Sequence, residues 1–224
     1  MRCLIVGANA SIAPDISNVF SANSYEVISA FRKFTKYKAT KSIRYSVSAD
    51  GGLKITNSSL VGELDAVVFC TGALMGKSIQ DYTIAEMEEA FDANILVVVK
   101  FVKYLRSKLN HNSSIVFISS ISASAGSYDE IYSASKSALY GLTKSLAKNT
   151  KNGVRFNCVS PSLIKNSQMY NTFSNDEVQT HVSQTPIKQL VNSKDLATII
   201  YDICQPHWRS LNGQILDVNG GRYV

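Results

Sequence analysis

Residues 1–16 read MRCLIVGANASIAPDI, and the junction Val6-Gly7-Ala8-Asn9-Ala10-Ser11-Ile12-Ala13 within them is where the fold is decided. An apolar run, Leu4 to Val6, meets a one-glycine turn and then a segment of helical character. Pro14 falls where the first helical turn belongs, a position at which its missing N–H costs nothing. The junction has the form of a phosphate-binding turn that lacks two of its glycines. A working ligand loop and an ordinary turn are both compatible with these residues alone.

The rest of the chain repeats the alternation of apolar run and helix. Further runs are Val27 to Phe31, Ala66 to Cys70, Ile115 to Ile118, Arg155 to Val159 and Ile215 to Val218. Continuous apolar runs, rather than alternating ones, belong to strands buried on both faces. Thr83-Ile84-Ala85-Glu86 fits a capping box and predicts a helix to about Leu109. A second helix is expected over Ile131 to Asn149, with Ile131, Ser135, Ala138, Leu142 and Leu146 along one face. A shorter one begins at Ser193-Lys194-Asp195 and runs through Ile203. This order predicts a Rossmann-type doubly wound parallel sheet of about seven strands, three layers deep, with residues 1–224 as one domain. Between Lys33 and Gly62 two placements of the third strand survive. Either Ile43 to Val47 is that strand, or Leu53 to Ile55 is, with Ile43 to Val47 beside it or at an edge.

Composition narrows the function classes. Hydrophobic residues make up 45% of the 224 residues and charged residues 18%, which supports a sizeable core. No apolar stretch is long enough to span a bilayer, Ile95 to Val99 being the best, and no leader pattern opens the chain. These features predict a cytoplasmic protein without a membrane partner. Cys3, Cys70, Cys158 and Cys204 form no CxxC pair and read as buried thiols. His111, His181 and His207 lack metal-ligand spacing, so no metal is expected. The net charge is +6, with one cluster from Arg32 to Lys41. That cluster lies on no nucleic-acid motif, so a nucleic-acid partner is not expected.

Chemistry concentrates at Tyr132-Ser133-Ala134-Ser135-Lys136. Tyr132 and Lys136 share one helix face, and an ammonium beside a phenol favours the phenolate, lowering its pKa toward neutrality. Alone, such a pair is also what a solvated helix face shows. However, the run Ile115 to Ile118 ends in Ser119-Ser120 twelve residues upstream. Ligands of open α/β sheets bind beyond the carboxyl ends of the strands, which brings the serine and the tyrosine to one edge.

With YSASKSALYGLTKSLA (132–147), GVRFNCVSPSLI (153–164) and LNGQILDVNGG (211–221), the chain resembles the short-chain dehydrogenase/reductase family, in its classical branch. The likeness covers essentially the whole chain and is weakest at 33–62. It implies Tyr132 as catalytic acid/base and Lys136 as the residue that tunes it and binds the nicotinamide ribose. Ser120, with Ser119 ranked second, would hold the substrate oxygen, and Asn94 would continue a proton relay. The implied cofactor-binding residues are Gly7, Asn9, Ala10, Ser11, Ile12, Arg32, Lys33, Thr71, Gly72, Ala73, Tyr132, Lys136, Pro161, Ser162 and Ile164.

The sequence departs from the family pattern in the first turn, after the fourth strand, and at Ser162 and Asn166, where the family has glycine and often threonine. Ser11 and Ala13 replace the second and third glycines of the turn. Ala13 is mild, whereas Ser11 stands where a glycine often lets the chain approach phosphate; its hydroxyl could bind phosphate or cap the helix. The enoyl-reductase branch has a similar Ser-Ile-Ala in a longer loop. Cys70-Thr71-Gly72-Ala73 replaces Asn-Asn-Ala-Gly. After the second strand, Ala30-Phe31-Arg32-Lys33 offers basic residues and no carboxylate, which favours NADP(H) over NAD(H).

Lys165 to Pro186 matches the substrate lid of family members. Met169, Tyr170 and Phe173 could line a pocket with Ser122 and Tyr128 opposite, or could pack beneath a loop. The reading is an NAD(P)H-dependent carbonyl reductase or alcohol dehydrogenase acting on a small carbonyl or alcohol. Two alternatives stand beside it: a catalytically inactive NADP(H)-binding sensor or regulatory module, and a sugar-nucleotide epimerase or dehydratase. The resemblance also implies a homodimer or homotetramer through the two long helices, with Ile95, Val98, Val99, Val102, Leu139, Leu142 and Leu146 available on them.

Overall fold

The computed structural model describes residues 1–32, 41–48 and 51–223. The described residues form one eight-stranded sheet. Its strands are β1 (Arg2–Val6), β2 (Glu26–Phe31), β3 (Lys41–Val47), β4 (Leu53–Thr56), β5 (Leu64–Phe69), β6 (Leu109–Ile118), β7 (Arg155–Pro161) and β8 (Ile215–Val218). The order is β4-β3-β2-β1-β5-β6-β7-β8, and every neighbouring pair is parallel except β3–β4. Strand order reverses at β1, which lies between β2 and β5. The carboxyl ends of β1 and β5 therefore flank a topological switch point, the crevice where such sheets bind ligands.

The helices are α1 (Ala13–Ala22), α2 (Ile84–Phe91), α3 (Val97–Leu105), α4 (Ser122–Ala125), α5 (Glu130–Lys148), α6 (Asn175–Gln184) and α7 (Ser193–Cys204). Ile16 and Phe20 of α1 and Leu196 and Ile200 of α7 pack on Cys3, Ile5 and Val68 on one face. Phe101 and Leu105 of α3 and Leu139 of α5 pack on Leu4, Val67 and Phe117 on the other. Alternate residues of one strand thus enter opposite cores, which is why these strands read as unbroken apolar runs. All four cysteines are free thiols and all are buried. Among the described residues no helix is long and apolar enough to cross a membrane.

The doubly wound sheet and the strand runs agree with the sequence expectation, and both placements of 43–55 contain part of the answer. Lys41–Val47 is the third strand, parallel to β2, and Leu53–Thr56 is an antiparallel edge strand paired with it. That edge strand is the addition to the seven expected. The turn residues Ala49 and Asp50, and residues 33–40 with Lys33 and most of the basic cluster, lie outside the described residues.

The capping box of Thr83 and Glu86 is present. The helix it starts reaches only Leu105, however, and Leu109 already pairs with Leu64 as the first residue of β6. The polar stretch Asn110-His111-Asn112 hid this strand start. The core face of α5 is also displaced from the expected one. Ile131, Ser135, Lys136, Leu139 and Thr143 are buried, while Ala138 is exposed and Leu142 and Leu146 only half-buried. Polar side chains occupy the inner stripe because each has a fixed partner; Thr143, for example, donates to Leu139 O at 2.6 Å. For the same reason Ile95, Val98 and Leu139 belong to the intramolecular core and are not free for a subunit interface.

Candidate active site

Four strand ends build the site. At the end of β1, the N–H groups of Gly7 and Ala8 both donate to Ala30 O at 3.1 Å, tying the turn to the end of β2. Gly7 has φ +81°, and a Cβ there would lie 2.8 Å from Thr71 N and 3.0 Å from Cys70 C. Glycine is thus required both by conformation and by the backbone of the β5 end. Asn9 and Ser11 are exposed, Ala10 is half-buried, and Ile12 turns into the core. Ile12 is the N-cap of α1 and contributes no side-chain capping bond. The capping alternative for Ser11 is therefore not met, because the helix starts at Ala13, two residues after it, and Ile12 holds the cap position.

Beyond β5 runs Cys70-Thr71-Gly72-Ala73. Thr71 O accepts from Lys136 Nζ at 3.0 Å, and Ile118 O at the end of β6 accepts from the same ammonium at 3.0 Å. A Cβ on Gly72 would lie 2.9 Å from Lys136 Nζ and 3.2 Å from Asn94 Oδ1. Asn94 sits in a π-turn, Asp92–Leu96, inserted between α2 and α3. The wider turn aims its side chain at the β5 end. There Oδ1 accepts from Ala73 N at 2.7 Å, while Nδ2 donates to Ala73 O at 3.0 Å and to Ser135 Oγ at 2.8 Å.

Beyond β6, Ser119 and Ser120 part company. Ser119 Oγ donates to Lys136 O at 3.0 Å and is taken up by the helix backbone. Ser120 acts on the Tyr132 phenol, favouring its ionisation, and donates to Ser122 Oγ at 3.2 Å. Tyr132 and Lys136 come together as their spacing predicts, with Nζ 5.9 Å from the ring centroid.

The electrostatics differ from the sequence expectation. Burial pushes the Tyr132 phenol above its usual pKa, Ser120 opposes that rise, and the Asp129 charge adds to it. Burial pulls Lys136 down to about 8, with Cys158 and Cys70 acting weakly the other way. Burial, the largest influence on the phenol, acts against the fall that a neighbouring ammonium favours.

The remaining predicted residues are placed around this centre. Pro161 ends β7, Ser162 N donates to Val218 O at 3.0 Å, and Ile164 bridges to Val191. Arg32, after β2, pairs with Asp92 of the π-turn at 3.3 Å, and Asp92 also accepts from Lys100 at 3.0 Å. A carboxylate thus does reach the end of β2, delivered from a distant segment. Tyr128 is 67% exposed. Met169 and Tyr170 are half-buried at a short turn, and Phe173 stacks on His181 of α6 at 5.1 Å. Phe173 thus has a packing role within the lid segment. Helix α6 itself was missed, although Ser174 and Glu177 form a capping box readable as S-x-x-E. Asp129, N-cap of α5, was missed as well, although an aspartate directly before an apolar helical run is a start signal.

Residues 7–222 match the family model described as enoyl-(acyl carrier protein) reductase, which spans the strand ends and the lid alike. The chain belongs to the short-chain dehydrogenase/reductase family. An uncharacterized oxidoreductase, YmfI, of Bacillus subtilis is 27% identical over 97% of each chain. Glucose and ribitol dehydrogenase homolog 2 of Arabidopsis thaliana is 30% identical over 73% of this chain, which spans 57% of that longer relative. The crystal structure of a short-chain dehydrogenase/reductase from Brucella melitensis superposes with a TM-score of 0.88 at 24% identity, covering 100% of this chain and 96% of that one. Membership of the short-chain dehydrogenase/reductase family makes the chain an oxidoreductase that uses a nicotinamide cofactor. The close packing around Gly7 and Gly72 fits that group, since it keeps side chains away from the switch-point crevice.

Proposed function

We propose that the protein is a carbonyl reductase or alcohol dehydrogenase that prefers NADP(H), acting on a small carbonyl or alcohol. The carrying observation is the convergence of Ser120, Tyr132, Lys136 and Asn94 beside the Gly7 turn. When bound, the nicotinamide supplies or takes the hydride. Ser120 holds the substrate oxygen against Tyr132, and the protonated phenol donates to that oxygen as it gains charge. Lys136 holds the ribose and, through its charge, favours proton loss from the phenol. Asn94 keeps the Ala73 segment in place beside them and continues the proton path.

The cofactor would lie along Gly7, Asn9, Ala10, Ser11 and Ile12, with its nicotinamide end near Thr71, Gly72, Ala73, Pro161, Ser162 and Ile164. Ser11, exposed and ahead of the helix cap, suits contact with phosphate. Arg32 and Lys33 would meet a 2′-phosphate. Ser122, Tyr128, Met169 and Tyr170 would border the substrate. The chain would work as one cytoplasmic domain, paired into a homodimer or homotetramer through α3 and α5, where Val99 remains exposed.

Fluorescence titration with NADPH and NADH, followed by a carbonyl panel, tests this reading. Binding of NADPH and turnover lost in Tyr132→Phe, by about 10²-fold or more, are expected. Absence of binding to either nucleotide overturns it.

A further inference from the structure

We propose that Asp129 is a positioning residue whose buried carboxylate clasps residues 74–82 to the first turn of α5 and so sets where Tyr132 stands. This rests on the reading of Tyr132 as proton donor. Asp129 is 2% exposed. One oxygen accepts from Tyr132 N at 2.8 Å; the other accepts from Gly76 N at 3.0 Å and from the Tyr82 hydroxyl at 2.8 Å. No lysine or arginine pairs with it among the described residues. A buried carboxylate without a cation is costly unless donors replace its water, and three donors do so here.

A helix start alone does not call for this. Helices α2 and α6 are capped by Thr83 and Ser174, both exposed and both bonded within their own first turn. The bonds of Asp129 instead reach 53 and 47 residues back along the chain. Its neighbour Glu130 accepts from Ile79 N at 2.9 Å. Two successive carboxylates therefore hold three donors of one segment: Gly76, Ile79 and Tyr82. That segment follows Ala73, which Asn94 already pins. Gly76 has φ +68°, a conformation that glycine adopts without strain. Tyr82, Ala90 and Ile131 close over the clasp as a small apolar cluster with Met75, Met87 and Phe91.

The clasp also has an electrostatic side. Tyr132 faces Ser120 from the end of β6, Lys136 one turn along α5, and the Asp129 charge at the helix start. Tyr82 and Asp129 face Glu130, and Lys77, which is paired with Glu86 at 2.5 Å. The Asp129 charge opposes ionisation of the phenol, so removing it favours the phenolate.

The test compares Asp129→Asn, Tyr82→Phe and the wild type in backbone hydrogen exchange and in the pH profile of carbonyl reduction. Exchange over 74–82 is expected to quicken about tenfold or more in Asp129→Asn and less in Tyr82→Phe, with α1 and α7 unchanged. The alkaline limb of the profile should move to lower pH by about half a unit in Asp129→Asn and stay in place in Tyr82→Phe, which keeps the charge. Unchanged exchange in both variants overturns the clasp. Faster exchange with an unmoved profile overturns the positioning role and leaves a tether. If Asp129→Asn does not fold, exchange in Tyr82→Phe decides the clasp, and unchanged exchange there overturns it. If the wild type turns over no carbonyl, the proposed function falls separately. The phenol's ionisation, read as the tyrosinate absorbance lost on adding Tyr132→Phe to each protein, then takes the place of the rate profile.

Discussion

Asn94 Nδ2 donates to Ser135 Oγ at 2.8 Å, and Ser135 Oγ in turn donates to Tyr132 O at 2.8 Å. Asn94 and Ser135 are both 0% exposed. A π-turn on one helix is thereby bonded, through two side chains, to the backbone of the tyrosine on another. Asn94→Ala strips a partner from Ser135 and both partners from the Ala73 backbone. We expect a loss of about 2–4 kcal/mol, read as a lower urea midpoint with unchanged slope.

Gly72→Ala tests the closeness of the β5 end to the lysine. The added methyl would lie 2.9 Å from Lys136 Nζ and 3.2 Å from Asn94 Oδ1, both buried and both hydrogen-bonded. Stability should fall by about 1–3 kcal/mol, and nucleotide affinity should fall too as the ammonium is displaced from Thr71 O. Calorimetric titration with NADPH against thermal unfolding separates the two effects. Unaltered affinity would show that the ammonium has room to spare.

The pH response of Lys136 has a definite sign. Its folded pKa is lowered from 10.5 to about 8 by burial. Between those values the unfolded chain binds one more proton than the folded chain, so this group makes folding more favourable as pH rises through that window. Below about 8 the folded state bears the full cost of the buried charge. Relative to Lys136→Met, wild-type stability should rise by about 3 kcal/mol from pH 8 to pH 10.5. Urea unfolding of both proteins across that range measures it, and the thiols, common to both, drop out. A flat difference would mean that the ammonium is not desolvated.

The proposed preference for NADP(H) rests on Arg32, which would meet the 2′-phosphate. Arg32 is exposed and its pair with Asp92 contributes little to stability. Arg32→Ala should weaken NADPH binding about tenfold and leave NADH binding within about twofold, as fluorescence titration would show. Equal weakening of both would assign Arg32 to the adenine or ribose instead of the 2′-phosphate.

What was legible in the sequence was the part written in local pattern. β1, β5 and β7 enter two cores at once, so their runs are unbroken and easily seen. Thr83–Glu86 and Tyr132–Lys136 are contacts between residues three and four apart. The missed features depend on partners far along the chain. Ser135 reads as a gap in an apolar face until Asn94, 41 residues earlier, is brought to it. The π-turn follows from the aim of Asn94 at Ala73, which no periodicity records. Leu109 reads as a helix residue until Leu64 pairs with it. Asp92 reads as one more surface acid until Arg32 arrives beside it.

The buried thiols give the molecule a built-in clock for opening. Burial pushes Cys70, Cys158 and Cys204 up to about 12 and raises Cys3 well above its usual value. Thiolate, the form that an alkylating reagent attacks, is therefore scarce in the folded chain. Cys3, Cys158 and Cys204 lie on different elements of the sheet and its covering helix, so each becomes reactive only when its own region comes apart. Mass spectrometry of the alkylated cysteines, followed over time, would rank the order in which the two faces release the sheet, with no label added to the chain.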